Sequence, residues 1–314
     1  MIQQSAKAVL MIRPCCFYPN PETAADNAFQ GKIASDETAA VSKAAQEEFD
    51  QASELLRDAG VTVHVFEDTA APEKPDAVFP NNWFSTHPDG RVVLYPMYSP
   101  TRRQERRRDV IDELGQIYRI SALLDYSSYE QRGLHLEGTG SLVLDYVNRV
   151  AYVSLSKRSD RELVERFCRD FDFEPILFES ASDDGRPIYH TNVVMCVGSQ
   201  FALVGLDLIG NVEKREAVRR RLETSGKEVI ELSRAQIANF AGNALELRTD
   251  SEKLLVLSSR AAEALTPEQR GRIERYARLL PLALPTIELA GGSARCMLAA
   301  IHLPELDDTY GAAR

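Results

Sequence analysis

Apolar residues recur with helical spacing over 37–58, 101–116, 159–169, 211–224 and 266–279, and short β-rich runs fill the intervals. Strands are expected at 9–13, 61–66, 78–85, 91–97, 141–144, 150–155, 176–178, 193–197, 201–206, 228–231, 244–247, 254–258 and 296–302. Three pairs of these runs are joined by short turns and read as hairpins: 84–85 with 92–94, 142–145 with 150–153, and 193–197 with 201–204. One helix followed by several short strands, repeating at a period of roughly 20–60 residues, points to a repeat or propeller architecture rather than a doubly wound sheet.

Length and composition place this pattern in an ordinary globular chain. The 314 residues are 44% hydrophobic and 27% charged, with no 18-residue apolar run and no linker-like shift in composition. A single domain over 1–314 is therefore expected, with no membrane span. The N-terminal apolar run ends in Arg13-Pro14 rather than a cleavage site, so it reads as a first strand of a cytoplasmic protein. Cysteines at 15, 16, 168, 196 and 296 form no paired framework or CxxC, which suits reduced thiols.

A net charge of −10 argues against nucleic acid and anionic membrane as partners. The basic run 102–108 is expected to open an amphipathic helix whose arginines mostly face water or pair with Glu105, Asp109 and Glu113. No glycine-rich phosphate loop is present, and the five histidines lack zinc spacing, so neither a cofactor nor a metal is expected. His64 and His302 lie within β runs and read as structural.

Three places carry polar residues that the periodicity does not ask for, such conflicts marking candidate sites, and a fourth segment is polar ahead of its strand and is expected to line the cavity. Asp76 to Trp83 is an apolar run ending in Asn81-Asn82, which is also what a turn looks like. Glu137 stands beside Gly138 and Gly140, where a solvated glutamate is the plainer alternative. His190 leads into a β-branched run, where a core histidine is the alternative, and Asn239 to Leu247 is polar before its strand, which is also ordinary turn chemistry. Cys296 follows Gly291-Gly292 and Arg295; glycines admit a close substrate and a guanidinium favours thiolate, although free cysteines are often inert core residues. Taken together, Cys296, His190 and Glu137 supply nucleophile, acid and base at the ends of three strands from three units, which a propeller would aim at one centre.

These residues resemble the guanidine-modifying hydrolases and amidinotransferases of the pentein superfamily. The likeness is carried by Pro75 to Phe79, Ser99 to Glu105, Leu136 to Thr139, His190 to Asn192 and Gly291 to Met297, in the family's order. It implies an α/β propeller of five pseudo-symmetric ββαβ blades, a covalent intermediate on Cys296, proton shuttling by His190 and support from Glu137. It also implies that Arg102 clamps a substrate carboxylate, that Asp76 orients the site, and that Gly292 lies against the substrate.

Two departures bear on the substrate. Asn82 and Asn192 stand where guanidinium-binding relatives commonly carry aspartates. A neutral ureido group needs a donor for its oxygen and an acceptor for its NH₂, and asparagine offers both. Asn81-Asn82-Trp83-Phe84-Ser85 is most similar to the citrulline-utilisation hydrolase branch, which implies conversion of citrulline to ornithine, ammonia and carbon dioxide. Arginine dihydrolase, arginine deiminase, amidinotransferase and a non-catalytic pentein-fold binding protein stay open at this point. The expected partner is a small amino acid, and the sequence allows a homo-oligomer.

Overall fold

The structure, a computed structural model, describes residues 2–306. The ends of the expected 1–314 span, Met1 and 307–314, lie outside the described residues. Among the described residues fifteen strands form five three-stranded sheets, and each of these sheets has one antiparallel and one parallel pairing.

The first strand, β1 (Ala8–Arg13), pairs in parallel with β2 (Thr62–Glu67). The second sheet holds β3 (Phe84–Thr86), β4 (Arg91–Leu94) and β5 (Ala122–Asp125), and the third β6 (Val143–Asp145), β7 (Val150–Ser154) and β8 (Glu174–Phe178). The fourth holds β9 (Met195–Val197), β10 (Phe201–Val204) and β11 (Glu228–Glu231), and the fifth β12 (Leu245–Arg248), β13 (Lys253–Ser258) and β14 (Arg278–Leu282). The last strand, β15 (Ala299–Ile301), returns to pair with β1, so the two chain ends complete one blade between them. In each blade an antiparallel pair, a hairpin in the four built from consecutive strands, is followed by a helical crossover to a parallel third strand, the five ββαβ repeats that the pentein resemblance implies.

The helices sit where their apolar stripes can cover a sheet. Thr38–Asp58 buries Ala45, Phe49, Ala52 and Leu56, spaced four, three and four apart, against β1 and β2. Arg161–Phe171 does the same with Leu163, Val164, Phe167 and Phe171. Each fully buried phenylalanine contributes about 2–3 kcal/mol of transfer free energy to this packing.

Several elements differ from the sequence expectation. The helix expected at 101–116 is split into a 3-10 turn, Arg102–Glu105, and a helix, Arg108–Leu114, because Arg106 and Arg107 are extended. The helix expected to 279 ends at Glu274, and the residues beyond it enter β14, whose apolar positions pair with β13. The strand β5, with exposed or half-buried side chains only, carried no strong apolar signal.

The remaining differences share one cause. Four expected strands begin instead with a single helical turn: Pro80–Asn82, Gly138–Ser141, Thr191–Val194 and Ala294–Met297, each feeding the innermost strand of a blade. A single turn is too short to show a period. Its apolar residues are buried like those of a strand, so the pattern reads as β.

Candidate active site

Those turns build the site. Asn82 ends the first, Glu137 and His190 are the residues just before the second and third, and Cys296 lies within the fourth. The three chemistry-bearing residues therefore stand on turns that precede strands, not at strand ends. Because the inner strands β3, β6, β9, β12 and β15 surround the propeller axis, the turns that feed them converge.

Glycine permits this convergence. Gly138 has φ +47°, and a Cβ there would lie 2.4 Å from the Asn81 carbonyl oxygen. At Gly140 the restriction is purely one of space, since a Cβ would lie 2.4 Å from Asn82 Nδ2 and 2.8 Å from His190 Nδ1. Gly140→Ala is accordingly expected to displace both side chains and to lower turnover roughly a hundredfold while leaving the fold in place, the cost of misplacing reacting groups by about 1 Å. Circular dichroism with steady-state kinetics checks it, and unchanged turnover would mean that this approach is not functional.

One cleft is lined by Asp76, Asn82, Arg102, His190, Gly292 and Cys296, together with Thr23, Asn27, Phe79, Arg158, Tyr189 and Ala290. Its volume is about 20 Å³, less than an amino acid needs, because the segment 20–31 is laced across it. Asn20 donates to Asp76 Oδ2 at 2.8 Å on one side, and on the other Asn27 donates to the Ala290 carbonyl at 3.0 Å and Gly31 N–H to Leu289 at 2.8 Å. Gly292 is held against the Phe79 ring, which a Cβ would meet at 2.7 Å.

Glu137 is fully buried behind the histidine. Its Oε2 lies 2.8 Å from His190 Nε2, and its Oε1 accepts the Tyr98 N–H at 2.9 Å. The guanidiniums of Arg158 and Arg102 approach the same Oε2 at 3.5 and 3.6 Å. Burial works against the Glu137 charge, but Arg158, the His190 hydrogen bond and Arg102 outweigh it and hold the carboxyl below its ordinary range. For His190 burial dominates and pulls the imidazole pKa down, with Glu137 opposing.

Arg102 is only 3% exposed, so it is not one of the water-facing arginines of the basic run. It forms a two-pronged ion pair with Glu105 at 2.8 and 2.9 Å, donates to Asn82 Oδ1 at 2.9 Å, and lies 3.7 Å from Asp76. Burial pushes the Glu105 carboxyl up to about 7 against the pull of Arg102. Burial likewise raises Asp76, with Arg102 and Asn20 opposing. The neighbouring arginines pair elsewhere, Arg106 with Glu130, Arg107 with Asp109 and Arg108 with Asp112.

The Cys296 thiol is 3% exposed and touches amides rather than a cation. Asn243 Nδ2 lies 3.3 Å and Asn192 Nδ2 3.4 Å from Sγ, while Asn243 Oδ1 accepts the Arg295 N–H at 3.1 Å. The Arg295 guanidinium turns away and donates to the Leu298 carbonyl at 2.9 Å.

The structure thus brings Cys296, His190, Glu137, Asn82, Asn192, Asp76, Arg102 and Gly292 together. Sequence reasoning marked the segment holding Asn243 but missed Asn243 itself as a thiol contact, and missed Arg158, Asn20 and Asn27 altogether. Arg158 is held by Asp26 at 2.8 and 3.0 Å with its guanidinium 4.7 Å from the Tyr189 ring centre, partners too remote in sequence to leave a local signal. Among the described residues no group of three or more His, Cys, Asp or Glu is arranged to hold a metal ion. Among the described residues no helix is long and apolar enough to cross a membrane.

No curated protein sequence matches the chain. Solved structures share its fold at low identity. A variant of the N-terminal domain of ArgZ, covalently bound to a reaction intermediate, superposes with a TM-score of 0.75 at 17% identity over 96% of this chain and 99% of that one; ArgZ is described as an arginine dihydrolase from cyanobacteria. Unliganded AgrE gives 0.71 at 17% identity, with this chain covering 40% of its length. A dimethylarginine dimethylaminohydrolase adduct gives 0.63 at 13% identity over 96% of this chain and 100% of that one. The family model described as N,N dimethylarginine dimethylhydrolase, eukaryotic, matches residues 13–303, and the chain belongs to that family of pentein-fold hydrolases acting on carbon–nitrogen bonds other than peptide bonds.

Proposed function

We propose that the chain hydrolyses the ureido group of citrulline to ornithine, ammonia and carbon dioxide through a covalent intermediate on Cys296. The observation that carries this reading is a pair of buried amide atoms of opposite hydrogen-bonding sense, both without partners among the described residues: the donor Asn82 Nδ2 and the acceptor Asn192 Oδ1. Arg102 can only donate, so its bond to Asn82 Oδ1 fixes that amide with Nδ2 free. A ureido group carries the matching carbonyl oxygen and NH₂. A guanidinium carries donors only and would oppose the free Asn82 donor with another N–H.

In this reading Cys296 Sγ, its proton passed to His190, adds to the ureido carbon. One C–N bond breaks as the imidazolium protonates the departing nitrogen, leaving a carbamoyl group on sulfur. The neutral imidazole then takes a proton from the water that cleaves the C–S bond, and the released carbamic acid decomposes to amine and carbon dioxide. Glu137 stabilises the imidazolium, and the Asn243 and Asn192 amides hold the thiolate. Arg102 and Arg158 make the cleft wall positive toward the α-carboxylate, and Asp76 is the carboxylate available to the α-ammonium. Entry requires the 20–31 segment to lift, given the closed volume.

Glu137 also sets the pH dependence. It raises the His190 pKa against burial, so in Glu137→Gln that pKa falls further, the acid limb of kcat/KM moves to lower pH, and turnover drops about 10²–10⁴-fold. An unmoved acid limb would remove His190 as the titrating base.

A second reading is arginine carried through citrulline to ornithine in the same site, favoured by the buried carboxylates of Asp76 and Glu137, which suit a cation. Mass spectrometry of products from citrulline, arginine and N,N-dimethylarginine, each incubated separately, decides. Ornithine from citrulline alone supports the ureido hydrolase, and ornithine from both citrulline and arginine the dihydrolase. Citrulline accumulating from arginine or from dimethylarginine would overturn the reading of the asparagines.

A further inference from the structure

A second chamber lies on the propeller axis and shares no lining residue with the catalytic cleft. All five inner strands wall it, through Phe84 and Ser85, Val143 and Leu144, Met195 to Val197, Leu245 and Glu246, and Ala299 and Ala300. Its volume is about 50 Å³, room for a small ion and a water or two but not for an amino acid or nucleotide.

Three polar side chains that form no ion pair among the described residues line this space: Arg295, Tyr146 and His302. Arg295 is 91% buried by its 9% exposure, uses one N–H on the Leu298 carbonyl, and forms no ion pair with any carboxylate among the described residues. The Tyr146 hydroxyl lines the chamber without a hydrogen-bond partner among the described residues. The His302 ring packs on Tyr146 at 4.2 Å between centres, and burial, with Arg295, holds its pKa down at about 3. The one carboxylate in the chamber, Glu246, is already met by Ser5 Oγ, Ser199 N–H and Ser199 Oγ. A guanidinium without a counter-charge, beside a tyrosine and a histidine that can donate, in a cavity this small, is the complement of a small anion.

We infer that the axial chamber binds a small inorganic anion of chloride or nitrate size, held by Arg295, Tyr146 and His302. The Arg295 guanidinium turns from the thiol but still acts on it through space, so the bound anion and the Cys296 thiolate draw on the same positive charge. Each therefore weakens the other, as linkage requires. The site is a control point behind the nucleophile, and this holds whichever substrate the front cleft accepts.

The test titrates the purified full chain with sodium nitrate at constant ionic strength, balanced by sodium gluconate, whose anion is too large for the chamber. The melting temperature should rise along a saturating curve, and iodoacetamide alkylation of Cys296 should slow about fivefold or more with the same midpoint. Arg295→Gln should lose both responses. No saturable response in the wild type, or an equal response in Arg295→Gln, overturns the proposal. Should Arg295→Gln fail to fold, wild-type crystals soaked in bromide decide: an anomalous peak beside Arg295 and Tyr146 supports the site, and a chamber without a peak overturns it. These readouts do not use turnover, so failure of the citrulline reading leaves them standing.

Discussion

Cys296→Ser is expected to lower turnover at least about 10⁴-fold with the melting temperature within a degree or two of the wild type. The substitution keeps the volume and replaces a polarisable thiol by a hydroxyl whose proton is far harder to remove. The surroundings of Sγ explain why nothing rescues it. Two amides approach the sulfur, at 3.3 and 3.4 Å, and the base proposed to take its proton is His190, whose pKa burial lowers, far too weak to deprotonate a serine hydroxyl. The wild type, quenched during turnover, should show a mass increment on the peptide holding Cys296, and the variant should not. Retained activity would mean that another group attacks the substrate.

Asn82→Asp carries the second large effect. The new carboxylate keeps an acceptor for Arg102, but where Asn82 Nδ2 offers a donor to the cleft it presents lone pairs. A ureido oxygen facing that carboxylate loses its donor and gains repulsion, a cost of about 1–3 kcal/mol and up to roughly a hundredfold in kcat/KM for citrulline. A guanidinium gains a charge-assisted partner at the same point, so the arginine-to-citrulline preference should rise by at least that factor. Kinetics with both substrates measure it. An unchanged ratio would show that Asn82 does not read the group being cleaved.

Much of this was legible along the chain. The alternation of hairpin and amphipathic helix follows from local periodicity: Phe49, Ala52 and Leu56 mark a helix whatever they pack against, and Val150 to Ser154 mark a strand buried on both faces. The residue types that bear chemistry were visible for the opposite reason, since Glu137, His190 and Asn82 interrupt patterns that apolar residues would have completed.

What the chain could not state locally is where each interruption points. The single turns carrying Asn82, Glu137, His190 and Cys296 are three or four residues long, below any helical period, and exist because inner strands must be fed from around the axis. Arg102 looks solvated until Glu105 and Asn82, three and twenty residues away, enclose it. Asn243 meets a thiol 53 residues distant, and Arg158 meets an aspartate 132 residues distant. Sequence determined the alternation of elements and the inventory of reactive groups, because both are written in neighbouring residues. Only closure of the propeller decided which of those groups share one buried space, and with it their charges and hydrogen-bond partners, because contacts across the axis join residues that no local pattern links.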